Sequence, residues 1–279
     1  MTSVTILSDN RVAESRPFSD SNEFAWLRGE WGFSAAVGDV LLDTGMTKVA
    51  RENAVELGLD PQFDTIVLSH GHEDHTGGLE YFLTGEPTIH LHPEAWKPRY
   101  RKDVHIGLPF VREKIEDAAT VVEHREPIEV ESGIWALGEI PREHPDNPSG
   151  VTPTDGERET DHVPDDQSLA VETERGIALI LGCCHAGLRN TIAYAESVLD
   201  DDVSAVLGGT HLVAQNREVV VETAAWLADK PALELVAPCH CTGFEAESVL
   251  REELPELFVP VGVGTTLDLE SLTFATDSF

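Results

Sequence analysis

Three histidines and an aspartate fall within six consecutive positions, His70-x-His72-x-Asp74-His75. The surrounding stretch, Ser69–Leu79, also holds Gly71, Gly77 and Gly78. Imidazole nitrogen and carboxylate oxygen are the donors that zinc and similar divalent ions prefer. A strand end running into a tight turn can aim His70 and His72 at one ion. Asp74 and His75, on the next turn, can then reach a second. The glycines permit close backbone approach and dihedrals that other residues avoid. The chain has twelve histidines in 279 residues, so this crowding argues for a metal site over a polar surface loop.

Sulfur donors come in two short groups, Cys183-Cys184-His185 and Cys239-His240-Cys241. Met1–Ile6 lacks the basic, apolar and small-residue regions of a signal peptide. Four cysteines in such a chain read as reduced thiols or metal ligands, not as a disulfide framework. A cytoplasmic location is the expectation.

These residues must be positioned by regular elements. Val4–Leu7 reads as a strand and Gly32–Leu42 as a hairpin turning near Gly38-Asp39. Asp43-Thr44-Gly45 is a turn, and Lys48–Leu57 a helix stopped by Gly58. Phe63–Leu68 is a short buried strand feeding directly into the histidine cluster. Thr88–Leu91 is another strand, whereas Ala95–Glu116 shows no clear period. Residues 141–166, rich in Pro, Asp, Glu and Gly, read as a long functional or mobile loop. Ser168–Thr173 and Ile177–Leu181 flank Glu174-Arg175-Gly176 as a second hairpin. Helices follow at Leu188–Leu199, Arg217–Ala228 and Phe244–Leu254. Strands are expected at Val203–Leu207, Leu233–Ala237 and Phe258–Val261. Alternating strands and helices predict an α/β (α+β) domain with helices covering the outer faces of sheets, and residues 1–279 read as one such domain.

Composition narrows the partners. Asp and Glu total 51 against 19 Lys plus Arg, a formal net charge of −32. Only five of the basic residues are Lys and fourteen are Arg. Such a charge keeps a protein soluble, repels polyanions and strains the folded state unless salt screens it. It suggests a halophilic protein from a salt-filled cytoplasm, with an ordinary acidic protein as the rival. Nucleic-acid binding is disfavoured at low salt. No run of about 18 apolar residues exists to span a membrane. The oligomeric state is not legible.

Ser69-His70-Gly71-His72-Glu73-Asp74-His75-Thr76-Gly77-Gly78-Leu79 resembles the signature of the metallo-β-lactamase-fold superfamily, over most of the chain. Asp43-Thr44-Gly45 sits where such proteins carry a turn that supports the metal loop. Gly138–Arg142, Asp165–Leu169, Gly182–Gly187 and Pro238–Gly243 resemble one branch more narrowly. That branch contains archaeal dihydropterin–ribofuranosylaminobenzene 5'-phosphate synthases and related metal-dependent hydrolases. The resemblance implies a four-layer αββα sandwich with metals at one edge and further ligands at the ends of later strands. It places His185 and His240 as ligands beside His70, His72, Asp74 and His75. It makes His211, in Gly208-Gly209-Thr210-His211, a substrate-facing or acid residue.

Many members carry a metal-bridging Asp where this chain has Cys183. Cys183 and His185 would share a face if the strand continued, so either could take the place of that Asp. Cys184, Cys239 and Cys241 are expected to point the other way, into a core where free Cys is common. A separate structural zinc between the two cysteine groups is a further alternative. His90, His92, His105 and His124 read as surface or packing residues, whereas His144 and His162 would line the pocket.

Two divalent ions, zinc first with Mn, Fe or Mg as alternatives, can hold a hydroxide at neutral pH and polarise the group it attacks. Asp74 would ligate and orient, and His211 or water would protonate the leaving group. Arg142 and Asn190, the latter at a helix start, are candidates to bind phosphate. The expected activity is hydrolysis of a small phosphorylated or ester substrate. The alternatives are a pterin-pathway condensation that displaces pyrophosphate, a nuclease, and a non-catalytic metal-binding protein.

Overall fold

Along the strand Gly176–Leu181 successive side chains serve two different cores. Ala178 and Ile180 pack with Val4, Ile6, Ala35, Val37 and Leu42 of another sheet. Ile177, Leu179 and Leu181 pack with Ile192, Ala224 and Leu250 of three helices. A strand apolar on both faces needs cover on both sides, and this one has it. A third core joins the far face of the first sheet, through Leu41, Ile66 and Ile89, to Ala50, Ala54, Leu79 and Phe82. The layer order is therefore helix, sheet, sheet, helix, the expected αββα sandwich. The computed structural model describes residues 2–13, 26–154 and 157–274.

The first sheet runs in spatial order Thr273–Phe274, Thr266–Asp268, Ser3–Ser8, Ser34–Val37, Val40–Leu42, Thr65–Val67, Thr88–Leu91, Thr120–Glu123. The second runs Leu235–Cys239, Val203–Gly209, Gly176–Leu181, Ser168–Thr173, Ile134–Ala136, Ile128–Glu131. Both expected hairpins form, with Ala35 opposite Leu42 and Ser168 opposite Leu181. Gly38 makes the first turn possible with φ +56. Outer helices occupy Val49–Glu56, Leu188–Leu199, Arg217–Ala228 and Phe244–Glu253. Asn216 caps the third of these through its side chain, which accepts from Val219 N at 3.1 Å, a bond worth about 1 kcal/mol. No helix among the described residues is long and apolar enough to cross a membrane.

Two expectations are corrected. Residues 141–166 are not loop throughout. Val151–Thr154 pairs with Glu157–Thr160, and Val151 pairs onward with Tyr100. With Tyr100–Arg101 and Val104–His105 they form a small third sheet. All four residues of Glu157–Thr160 are exposed, so no apolar alternation announces the hairpin. Phe258–Val261 forms no strand, only a single bridge from Phe258 to Val236. Pro260 offers no N–H to extend a ladder beside Leu235–Cys239, the edge strand of the second sheet.

Candidate metal centre

The chemistry gathers at the ends of strands from both sheets. Thr65–Val67 leads to His70 and His72, and the short helix Glu73–Thr76 carries Asp74 and His75. Gly176–Leu181 leads to Cys183 and His185, Val203–Gly209 to His211, and Leu235–Cys239 to His240. Cys184, His211 and His240 all adopt left-handed backbone, with φ of +58, +51 and +50. Asp43, at the end of Val40–Leu42, does the same at +56. Non-glycine residues enter this region at a cost, and such strain concentrates at functional sites. Here it turns each strand end sharply toward one point. Gly71 is required for a different reason, close packing: a Cβ there would lie 2.2 Å from the carbonyl oxygen of Ala95.

His70, His72, Asp74, His75, His185 and His240 are brought together, with Cys183 among them. His70 Nε2 lies 2.8 Å from His72 Nδ1, and His75 Nε2 lies 3.1 Å from Cys183 Sγ. Asp74 reaches to 3.7 Å from His240 Nε2 and 4.0 Å from His75 Nε2. Two donor sets follow, His70 with His72 and His185, and Asp74 with His75 and His240. Within each, one donor atom per residue lies within 4.8 Å of the others. Cys183 lies near both sets, grouping with His70 and His75 and also with His240. The strand stops at Leu181, yet Cys183 and His185 both face the centre, because the left-handed turn at Cys184 re-aims the chain.

Each ring is held by its other nitrogen or by its backbone. Asp43 Oδ2 bonds His75 Nδ1 at 2.6 Å. Ser69 Oγ contacts His70 Nδ1 at 2.9 Å and donates to Asp43 at 2.6 Å. The Asn147 carbonyl holds His185 Nδ1 at 2.8 Å. Asp9 accepts from His240 N at 2.7 Å, and Asn10 donates to the His240 carbonyl at 2.8 Å. Such partners fix tautomer and direction in metal sites. The metal loop is itself strapped down. Asp165 accepts from Gly71 N at 2.8 Å and pairs with buried Arg99, which also donates to Asp161 at 2.6 Å. Gln167 donates to the carbonyls of Ser69 and Leu68, at 2.9 and 3.0 Å.

Electrostatics favour neutral rings. Burial pushes His72 and His240 down to about 3 and His211 to about 4, and carries His70 and His185 well below the ordinary histidine value. Neutral imidazole is the form that binds metal. His75 differs: burial opposes its charge, but Asp43 and Asp74 outweigh that and raise it to about 9. The carboxyl of Asp74, despite burial, is lowered by His75, His240 and His72. His72 Nε2, His185 Nε2, His240 Nε2 and His211 Nδ1 are buried without a hydrogen-bond partner. An unsatisfied buried polar atom costs about 1–3 kcal/mol. Orphaned imidazole nitrogens clustered beside Asp74 fit a bound divalent cation.

Not every expected residue joins. Asn190 spends its amide on the backbone, accepting from Glu143 N and His144 N and donating to the carbonyls of His144 and Ala186. With both donors and its acceptor occupied, it anchors the 143–144 segment instead of binding phosphate. Arg142 donates to the carbonyls of His162 and Val163 at 2.6 and 2.7 Å and pairs with Asp146. It borders a cleft of about 450 Å³ with Arg125, Glu139 and Tyr194, which contains no residue of the histidine cluster. His162 is exposed and bonds Asp146 at 2.7 Å. Neither His162 nor His144 belongs to a donor group.

The sulfur expectations are corrected in one place. Cys184 and Cys239 lie in apolar cores. Cys241 does not: its Sγ groups with Cys183 and His240 and accepts from His211 N at 3.3 Å. It sits in the 3-10 turn His240–Thr242, where strand alternation no longer applies. His211 lies tilted against His185 with ring centroids 4.3 Å apart, and Trp31, half exposed, lies 5.4 Å from the His240 ring. Asp9, Asn10 and Trp31 have no local motif, and only tertiary contact shows them.

The family model for the metallo-beta-lactamase superfamily matches residues 38–182. A 7,8-dihydropterin-6-methyl-4-(beta-D-ribofuranosyl)-aminobenzene-5'-phosphate synthase of Methanocaldococcus jannaschii is 33% identical over 226 residues, 75% of this chain and 76% of the relative. An uncharacterised protein of the same organism is 30% identical over 243 residues, 84% of this chain and 92% of the relative. The crystal structure of a metal-dependent hydrolase of the beta-lactamase superfamily superposes with a TM-score of 0.84 at 27% identity, covering 97% of this chain and all of that one.

Proposed function

The chain belongs to the metallo-beta-lactamase superfamily, and from that premise we propose that it is a metal-dependent hydrolase of a small phosphorylated or ester substrate. The observation that carries the proposal is the pair of donor sets in which Nε2 of His72, His185 and His240 is buried with no hydrogen-bond partner. Two divalent ions, zinc above all, suit these nitrogen and carboxylate donors. A cation bound there supplies Lewis acidity, lowering the pKa of water and polarising a phosphoryl or acyl oxygen.

The chain's own groups set the rest. His70, His72 and His185 form one side of the centre, and Asp74, His75 and His240 the other. Asp43 keeps the proton of His75 on Nδ1, leaving Nε2 directed inward. The Asn147 carbonyl does the same for His185. Asp74 is partly open to solvent, so it can orient an attacking water as well as bind. His211, neutral and lying against His185, would take up the proton that the attacking water gives up and pass it to a leaving group. Trp31 adds a flat apolar wall beside His240. A net charge of −32 speaks against a nuclease. Purely structural zinc sites are closed and rich in Cys, and the open Asp74 speaks against a non-catalytic role.

A second reading rests on the synthase relative in M. jannaschii. On that reading the same centre assists a condensation that displaces pyrophosphate. One screen separates the two. Metal-loaded protein in molar KCl is offered a phosphomonoester, a phosphodiester, a lactone and a pterin diphosphate with an aminobenzene co-substrate. Hydrolysis without co-substrate supports the hydrolase. Pyrophosphate release only with co-substrate supports the synthase. No turnover by any metal-loaded sample overturns both.

A further inference from the structure

Arg142 and Asn190, the two side chains that the sequence offers for phosphate, are consumed by backbone groups. A different cation lies beside the histidine cluster. Arg101 stands in the short strand Tyr100–Arg101 of the third sheet. On one side that strand is tied to the metal loop. Arg99 O accepts from Ile106 N and Ile106 O accepts from Glu73 N, both at 2.9 Å, and Gly107 bridges to His72. On the other side Arg101 Nη2 donates to Ser149 Oγ at 3.4 Å. Two residues before Ser149, the Asn147 carbonyl holds His185 Nδ1 at 2.8 Å and the Asn147 side chain accepts from Gln215 Nε2 at 2.8 Å. Gln215 ends the turn Leu212–Ala214 that begins at His211. Arg101 is thereby held near His211. Burial lowers the pKa of that histidine, and the positive charge of Arg101 lowers it further.

The Arg101 guanidinium is underused. In a chain with 51 acidic residues, Arg11, Arg28, Arg99, Arg125 and Arg142 each pair with a carboxylate. Arg101 is exposed and pairs with no carboxylate among the described residues. A guanidinium offers a fork of N–H donors, and here only Nη2 has a partner among the described residues, through a long bond. His211 Nδ1 is buried with no partner either.

We propose that Arg101 selects the substrate: its guanidinium binds the phosphate of a phosphorylated substrate beside His211, so that the centre takes phosphate esters in preference to neutral ones. This rests on the hydrolase reading above and chooses between its two substrate classes. Guanidinium N–H pairs match phosphate oxygens in a bidentate fork. Phosphate has more terminal oxygens than a carboxylate, so it can meet Arg101 on one side and the donor sets on the other. A net charge of −32 repels an approaching anion, and an unpaired cation offsets that repulsion at the site itself.

Zinc-loaded protein at fixed KCl is titrated calorimetrically with inorganic phosphate, and KM is measured for nitrophenyl phosphate and for neutral nitrophenyl acetate. Arg101→Gln should weaken phosphate binding and raise the phosphate-ester KM about 10–100-fold, the range for losing hydrogen bonds to a charged group, with the acetate KM unchanged. Arg101→Lys keeps the charge without the fork and should recover part of the loss. Lys102→Gln removes the same charge at the next, exposed position and should change neither value. Elemental analysis and circular dichroism check that zinc content and fold are equal. Phosphate affinity that is unchanged in Arg101→Gln, or weakened as much by Lys102→Gln, overturns the proposal, as does a wild type that binds no phosphate or an acetate KM that rises equally. Arg101-dependent phosphate binding in a protein that hydrolyses neither ester leaves the anion site standing and overturns the hydrolase reading.

Discussion

The carboxylate of Asp43 sits 2.6 Å from Nδ1 of His75 and receives both the N–H and the hydroxyl of Ser69. One fully buried residue thus sets the tautomer of a metal-facing ring and the path of the loop carrying His70. Replacing Asp43 by Ala should weaken metal affinity about 10–100-fold, the usual effect of losing such a supporting partner. Chelator competition measures it. Unchanged affinity in a folded Asp43→Ala protein would show that His75 needs no such orientation.

Asp74 lies between His75 and His240, and its side chain is partly open to solvent. Asp74→Ala should therefore abolish turnover while leaving the fold intact. The check is activity set against circular dichroism and melting temperature. Wild-type turnover in the folded variant would sink the mechanism.

Arg99 is almost wholly buried between Asp161 and Asp165, and Asp165 in turn holds Gly71. Removing one partner of a buried charge network leaves uncompensated charge, at a cost of about 3–5 kcal/mol. Arg99→Met should lower the urea midpoint accordingly and also loosen metal binding. A stability within about 0.5 kcal/mol of wild type, the ordinary range for surface changes, would refute this role.

Burial lowers His72 and His240 to about 3 and His90 and His211 to about 4 in the metal-free protein. The unfolded chain binds these protons near 6.5, more tightly than the folded one, so their stability is present above 6.5 and lost as pH falls toward 4. Asp166, held up to about 6 by burial, acts in the opposite sense over part of this window. His75, raised to about 9, and Asp9 and Glu247, both raised by burial, act in that opposite sense too, but the histidines lowered by burial outnumber these groups, so the urea midpoint should fall from pH 7 to pH 5. His90→Gln, outside the metal centre, should flatten the slope. A level wild-type profile would mean that these rings are solvated.

With 51 acidic and 19 basic residues, like charges crowd the surface. Their repulsion should fade as the Debye length shrinks from about 10 Å at 0.1 M salt to about 3 Å at 1 M. The melting temperature should rise markedly in molar KCl at constant bound metal. Chloride is the right salt, because sulfate strengthens apolar burial in any protein. A flat response would remove the halophilic reading.

What could be read directly from the chain is what depends on neighbours a few residues away. Donor type and spacing in His70–His75 follow from composition and turn geometry. The hairpins at Gly38 and Gly176 follow from apolar runs meeting glycine, and the four-layer order is what the family resemblance implied. The direction of each side chain at a strand end was decided elsewhere. Cys241 was expected in the core, yet the left-handed backbone of His240 swings it toward Cys183. Asn190 and Arg142 carry groups suited to phosphate, but the backbone of residues 143–163 claims them first. Asp9 supports His240 from 231 positions away, a pairing that no local pattern encodes. Dihedrals, hydrogen-bond competition and contacts between distant segments are settled only when the two sheets pack, because the energy that holds a strained turn or consumes a polar group comes from that packing.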